Sequence, residues 1–312
     1  MLRASDLCGV VPPCTTPITA DETVDRQAVG RIIDYFLDAR VGGVFVLGSS
    51  SEGPSMTNEQ RAEMVDAAAD ALAGRSPLLA GVSSTSFGRS VQCAQDAAER
   101  GADAIVATCP YYFFYGQEDL YNYFTRLAES SPLPLVIYDI PSRADNEIEL
   151  DTLLRLSEHE RILGVKNSTG DLARAIRIVN ALGDRDDFVI FEGSEPLIAP
   201  SMLMGMHGAV LGIANACPHL CVELVEAGMA GDVAKARELQ GRVNQIFPFF
   251  FVAEPGTFNV GGIVGAMKAA QEILGLCDRR TFFPARHITD EDVEKMRAIL
   301  DPALEAGWIK MP

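Results

Sequence analysis

The feature that most restricts the fold is a repeat of pattern rather than of sequence. Short apolar runs return every few tens of residues, each followed by a stretch with the apolar spacing of an amphipathic helix. Such alternation is the mark of strand–helix units and a parallel sheet. Eight runs are present: Gly9–Pro12, Gly43–Leu47, Leu78–Val82, Ala104–Thr108, Leu135–Tyr138, Leu163–Lys166, Val189–Phe191 and Ala209–Leu211. Between them, Val24–Arg40, Asn58–Gly74, Phe87–Arg100 and Asp171–Leu182 read most clearly as helices, several opened by Ser, Thr, Asn or Asp and closed by Gly. Eight parallel strands with eight crossovers close most economically into an α/β (β/α)8 TIM barrel. An open doubly wound sheet is the rival, but the first strand runs into Val-Pro-Pro-Cys-Thr-Thr-Pro and offers no glycine-rich dinucleotide turn. After the eighth unit only helices follow, over Val233–Phe250, Val260–Leu274 and Asp290–Leu304. The expected organisation is a barrel over residues 1–230 with a helical C-terminal extension over 231–312 packed on it.

Composition narrows the functional class. With 43 acidic against 26 basic side chains the net charge is −17, distributed without a basic run, which disfavours a nucleic-acid or anionic-membrane surface. No apolar stretch reaches the roughly 18 residues of a membrane span, and the start lacks a secretion signal, so a cytoplasmic location is expected. The seven cysteines include no CxxC pair and suit reduced thiols better than a disulfide framework. Cys217 and Cys221 alone stand close enough to suggest a metal, and nothing nearby completes a ligand set. His159, His207, His219 and His287 are scattered, so no metal is expected.

In a barrel, reactive groups stand at the carboxyl ends of the strands. The sixth run ends in Gly164-Val165-Lys166, and of five lysines only this one falls on a strand end. An amine desolvated there loses proton affinity and becomes a nucleophile toward a carbonyl, while a salt-bridge lysine is the plainer alternative. The fifth run ends in Tyr138 and continues Asp139-Ile140-Pro141-Ser142-Arg143, placing a phenol and a guanidinium close together. Such a pair can move protons and hold a carboxylate, although a tyrosine by itself is often core filling. Gly48-Ser49-Ser50-Ser51-Glu52 follows the second run, either an anion cradle or an ordinary turn. Cys109-Pro110-Tyr111-Tyr112-Phe113-Phe114-Tyr115 follows the fourth and reads as an apolar interface patch.

Taken together, Gly-Ser-Ser-Ser-Glu, Pro-Tyr-Tyr, Tyr-Asp-Ile-Pro-Ser-Arg and Gly-Val-Lys-Asn-Ser-Thr-Gly-Asp, with Gly193-Ser194-Glu195 and Gly208–Asn215, resemble the dihydrodipicolinate synthase / N-acetylneuraminate lyase family in order and spacing. The resemblance implies class I, Schiff-base aldolase or synthase chemistry with no metal or organic cofactor. It makes Lys166 the imine-forming residue and Tyr138 the general acid/base. Ser49 and Ser50 become binders of the 2-oxo acid carboxylate, with Ser49 also in the proton relay. Tyr112 completes that relay across a tight dimer, Arg143 engages the second substrate, and Val210 and Gly193 line the pyruvyl site. The implied partners are pyruvate or another 2-oxo acid and an aldehyde, and the implied assembly is a tetramer built as a dimer of dimers.

Four departures from the lysine-biosynthetic synthases point to altered walls around the second substrate. They are Ser51, Phe113-Phe114-Tyr115, Ala144-Asp145, and Asn259 to Lys268 in place of a proline-rich segment. The expected reaction is therefore making or cleaving a carbon–carbon bond in a 2-keto-3-deoxy sugar acid or related 4-hydroxy-2-oxo acid. Condensation of pyruvate with aspartate semialdehyde, the 4-hydroxy-tetrahydrodipicolinate synthase reaction, is the alternative, and a keto-deoxy sugar diacid dehydratase uses the same lysine. From other classes, a non-catalytic 2-oxo acid sensor and a pyridoxal phosphate enzyme anchored at Lys166 stay in view.

Overall fold

A computed structural model describes residues 2–254 and 259–312, and of residue 260 the backbone only. Its eight strands are β1 (Gly9–Val10), β2 (Val44–Val46), β3 (Leu78–Gly81), β4 (Ala104–Thr108), β5 (Leu135–Asp139), β6 (Ile162–Asn167), β7 (Val189–Glu192) and β8 (Gly208–Ala209). All neighbours in the order β1-β8-β7-β6-β5-β4-β3-β2 are parallel. The ring closes by a different device. Pro12 and Pro13 have no N–H to extend β1 toward β8, so β1 is shorter than its apolar run. Their segment turns its remaining groups to β2 instead: Phe45 N–H donates to Pro12 O at 3.0 Å, and Cys14 N–H to Phe45 O at 2.8 Å.

The helices are α1 (Arg26–Asp38), α2 (Asn58–Leu72), α3 (Phe87–Glu99), α4 (Gln117–Ser130), a single turn α5 (Pro141–Ala144), α6 (Leu150–Ser157), α7 (Leu172–Leu182), α8 (Ile198–Leu203), α9 (Pro218–Met229), α10 (Val233–Ile246), α11 (Val260–Ile273) and α12 (Asp290–Glu305). Their polar openers act as expected: Asp25 accepts from Ala28 N–H, Thr57 and Gln60 cap each other, and Asp171 accepts from two N–H groups. The helix expected to reach Phe250 stops at Ile246 and tightens into a 3-10 turn over Phe247–Phe251, because Pro248 supplies no N–H to the α ladder.

Two apolar layers result. One lies between sheet and helices, and the other fills the barrel, with Val11, Phe45, Leu79, Val106, Val136, Tyr138, Leu163, Phe191 and Val210 pointing inward. Ala4 and Leu7 from the N-terminal segment pack into the same inner layer. The barrel is a packed core, and a cavity opens at its carboxyl-end face.

Candidate active site

One extra residue puts Leu163 and Lys166 on the same face of the sheet. Leu135 pairs with Ile162, but the next residue, Val136, pairs with Gly164, so Leu163 is a bulge in β6. Without it, Leu163 and Lys166, three positions apart, would face opposite sides of the sheet. With it both face the barrel interior, while Val165 packs among the helices. Gly164 suits the crowded backbone here, since an added Cβ would lie 2.2 Å from Val189 O.

The pairing also sets Lys166 beside Tyr138, its direct partner on β5. The ammonium nitrogen lies 3.9 Å from the Tyr138 ring centroid and 5.7 Å from that of Phe45. Lys166 is only 5% exposed and Tyr138 6%. Gly193, at the end of β7, leaves room for the lysine stem, because a Cβ there would stand 3.0 Å from Lys166 Cε and 1.9 Å from Ser168 Oγ. Val210, just past β8, belongs to the same inner layer as Tyr138.

Above this floor opens a cavity of about 300 Å³. Ser49, Ser50, Tyr138 and Arg143 line it, as does Tyr111, and α11 contributes Ile263, Val264 and Met267 to its wall. Lys166 is not among the wall residues; it adjoins the cavity through Tyr138. Tyr112 does not face the cavity. It stands 80% exposed with φ 86°, next to exposed Phe113 and Phe114. The structure thus gathers Lys166, Tyr138, Gly193 and Val210 at the barrel axis and Ser49, Ser50 and Arg143 around the cavity, with Tyr112 outside both.

The departures noted in the sequence fall in different places. Ser51 is fully buried, its hydroxyl donating to Cys14 O and its carbonyl accepting from Thr16 Oγ1 at 2.8 Å, so it braces the serine loop and does not alter the substrate wall. Asp145 takes φ 52°, a left-handed conformation that Asp tolerates better than most residues. Ala144 and the start of α11 do wall the cavity.

Several supporting residues escaped the sequence reading. Glu52 and Lys268, both buried, pair at 2.6 Å, and Phe282 N–H donates to Glu52 at 2.9 Å, tying the serine loop to the C-terminal helices. Glu52 was visible within the motif, but its partner was not. Asp139 and Arg174 form a buried pair at 2.5 Å behind Tyr138, and burial raises the Asp139 carboxyl against the pull of Arg174. Asn146 donates to Pro110 O, Phe113 O and Ala144 O and accepts from Tyr115 N–H, joining the aromatic loop to the Arg143 loop. At the end of β7, Glu192 accepts from Gly193 and Ser194 N–H and from Ser201 Oγ, and burial pushes its carboxyl up to about 7. Burial likewise raises Glu195, while Lys166 pulls it the other way. Among the described residues no cluster of three His, Cys, Asp or Glu side chains is placed to hold a metal ion.

Residues 6–303 match the model of the dihydrodipicolinate synthetase family. The chain belongs to that family. It is accordingly a lyase of the Schiff-base aldolase and synthase class. A 4-hydroxy-tetrahydrodipicolinate synthase of Gluconacetobacter diazotrophicus is 30% identical over 95% of this chain and 96% of its own. That of Aquifex aeolicus is 31% identical over 94% and 96%. Among solved structures, the dihydrodipicolinate synthase of Bacteroides thetaiotaomicron superposes with a TM-score of 0.90 at 32% identity, covering 97% of this chain and all of that one. YagE, a prophage protein of E. coli K12 solved in complex with pyruvate, gives 0.88 at 26% identity, over 95% and 98%. These family relatives favour the synthase alternative over the sugar-acid reading expected from the sequence.

Proposed function

We propose that this family member condenses pyruvate with a short aldehyde bearing a carboxylate, with aspartate semialdehyde as the leading acceptor, as in its relatives named 4-hydroxy-tetrahydrodipicolinate synthase. The observation that carries the chemistry is a buried amine held against a phenol at adjoining strand ends. In this reading Lys166 Nζ adds to the keto carbon of pyruvate, forming a carbinolamine. Tyr138 passes a proton to the departing hydroxyl, which leaves as water as the imine forms. The protonated imine draws electrons from the adjacent methyl, whose loss of a proton gives an enamine. That carbon attacks the aldehyde, and water later releases the product and restores the lysine. Ser49 and Ser50 hold the pyruvate carboxylate, and Arg143 holds the acceptor's.

The acceptor assignment is supported by the wall. Ile263, Val264 and Met267 give one side an apolar surface poorly suited to a row of sugar hydroxyls, while Arg143 offers a carboxylate partner. Cleavage of a 4-hydroxy-2-oxo acid is the second reading, favoured by Ser83, whose hydroxyl on the cavity wall can meet a substrate hydroxyl. The test is borohydride reduction with pyruvate, followed by peptide mapping and an acceptor screen. The expected result is a pyruvyl adduct on Lys166 with aspartate semialdehyde turned over faster than glyceraldehyde. An adduct elsewhere, or none, removes the mechanism, and faster turnover of glyceraldehyde selects the second reading.

A further inference from the structure

Arg61 lies in the first turns of α2 and is 91% buried by its own 9% exposure, yet it makes no ion pair among the described residues. Its guanidinium donates to Gly53 O at 2.9 Å and to Gly81 O at 2.6 Å. Those two bonds leave further N–H donors of the five on the side chain. A buried cation without a counter-charge is costly, and the positive end of a helix raises that cost. Arg61 lines the cavity described above. Its charged wall residues are Glu52, Arg61 and Arg143, and Glu52 is already neutralised by Lys268 at 2.6 Å. Two guanidinium groups thus border one small space, Arg61 from the β2–β3 side and Arg143 from the β5 side, in a molecule of net charge −17.

We propose that Arg61 is a second anion-holding residue of this cavity and selects acceptors or products that carry an oxyanion reaching the β2–β3 side. The shared ligand chemistry is a carboxylate or phosphate at the far end of the aldehyde. Ser83, which lines the cavity and accepts from Thr108 N–H at 2.9 Å, keeps its hydroxyl proton to donate to the same group. The assignment rests on the condensation reading above and adds a specificity element to it.

The experiment compares steady-state kinetics with pyruvate and three acceptors: succinic semialdehyde, glyceraldehyde 3-phosphate and neutral butanal. Arg61→Gln, which keeps donors for Gly53 and Gly81 but no charge, is expected to raise KM for an acidic acceptor by about tenfold or more, the scale of a lost charged hydrogen bond. KM for pyruvate and reductive labelling of Lys166 are expected to hold. The acid acceptor that suffers more, carboxylate or phosphate, names the ligand class. If KM for pyruvate rises in step, or neither acidic acceptor is affected, Arg61 is a backbone brace and the proposal falls. Should the Gln variant fail to fold, Arg61→Lys decides, since it keeps a cation without the two-pronged grip. A rise in KM confined to the acidic acceptors supports the grip, and a KM for pyruvate rising in step, or no acid-selective rise, overturns it. Absence of any labelling of wild-type Lys166 would instead overturn the underlying condensation reading.

Discussion

Lys166 and Lys268 are both buried, and their neighbours divide their work. Lys268 is held by Glu52 and by Arg280 O, each at 2.6 Å. Lys166 lies over two aromatic rings beside the cavity. Its phenolic neighbour is the simplest residue to test: Tyr138→Phe should keep the fold and lower turnover by roughly 10²–10⁴-fold, the range for general acid–base help, as read by initial rates beside thermal melting. Glu192 makes a pH prediction. Its carboxyl is raised from 4.5 to about 7, so the unfolded chain releases this proton before the folded one does. The contribution to stability is full below about 4.5 and is lost as pH rises through about 7. Denaturant unfolding at about pH 5 and about pH 8 should show Glu192→Gln sparing up to roughly 3 kcal/mol of the wild-type loss, with the hydrogen bonds to Gly193, Ser194 and Ser201 conserved by the amide. The sequence made Lys166 and Tyr138 legible because a lone lysine and a tyrosine end consecutive apolar runs. It hid Lys268 because its partner comes from a remote segment, which only folding brings near.

At the scale of elements, the serine loop after β2 is held from two directions. Ser51 anchors it to the segment after β1, and Glu52 anchors it to α11 through Lys268. Removing one half of that buried pair leaves a charge without compensation. Lys268→Met is expected to cost about 3–5 kcal/mol in denaturant unfolding, and adding Glu52→Gln should recover part of it, which a double-mutant cycle measures. Strand and helix positions were readable from apolar periodicity to within a few residues. Their exact ends were not, because prolines at positions 12, 13 and 248 redirect backbone bonding locally. The bulge at Leu163 was also hidden, since Leu163–Lys166 looks like any short apolar run until its pairing with β5 is known.

For the whole molecule, the eight-fold repeat specified the barrel, whereas side chains facing outward carry little periodic signal. Tyr112, Phe113 and Phe114 remain 80%, 60% and 84% exposed on a single chain, a surface suited to a second copy. If the expected assembly forms there, Phe113→Asp with Phe114→Asp should lower the sedimentation coefficient and turnover together, while melting of the isolated chain changes little; sedimentation identical to wild type would exclude that face. A different sensitivity lies within the barrel. Deleting Leu163 would restore an unbroken ladder, with Ile162 against Leu135 and Lys166 still opposite Tyr138, so the amine would keep its chamber while the floor beneath it lost a side chain. A family member with a one-residue gap at this point would therefore retain the reactive nitrogen in place above a hollowed barrel.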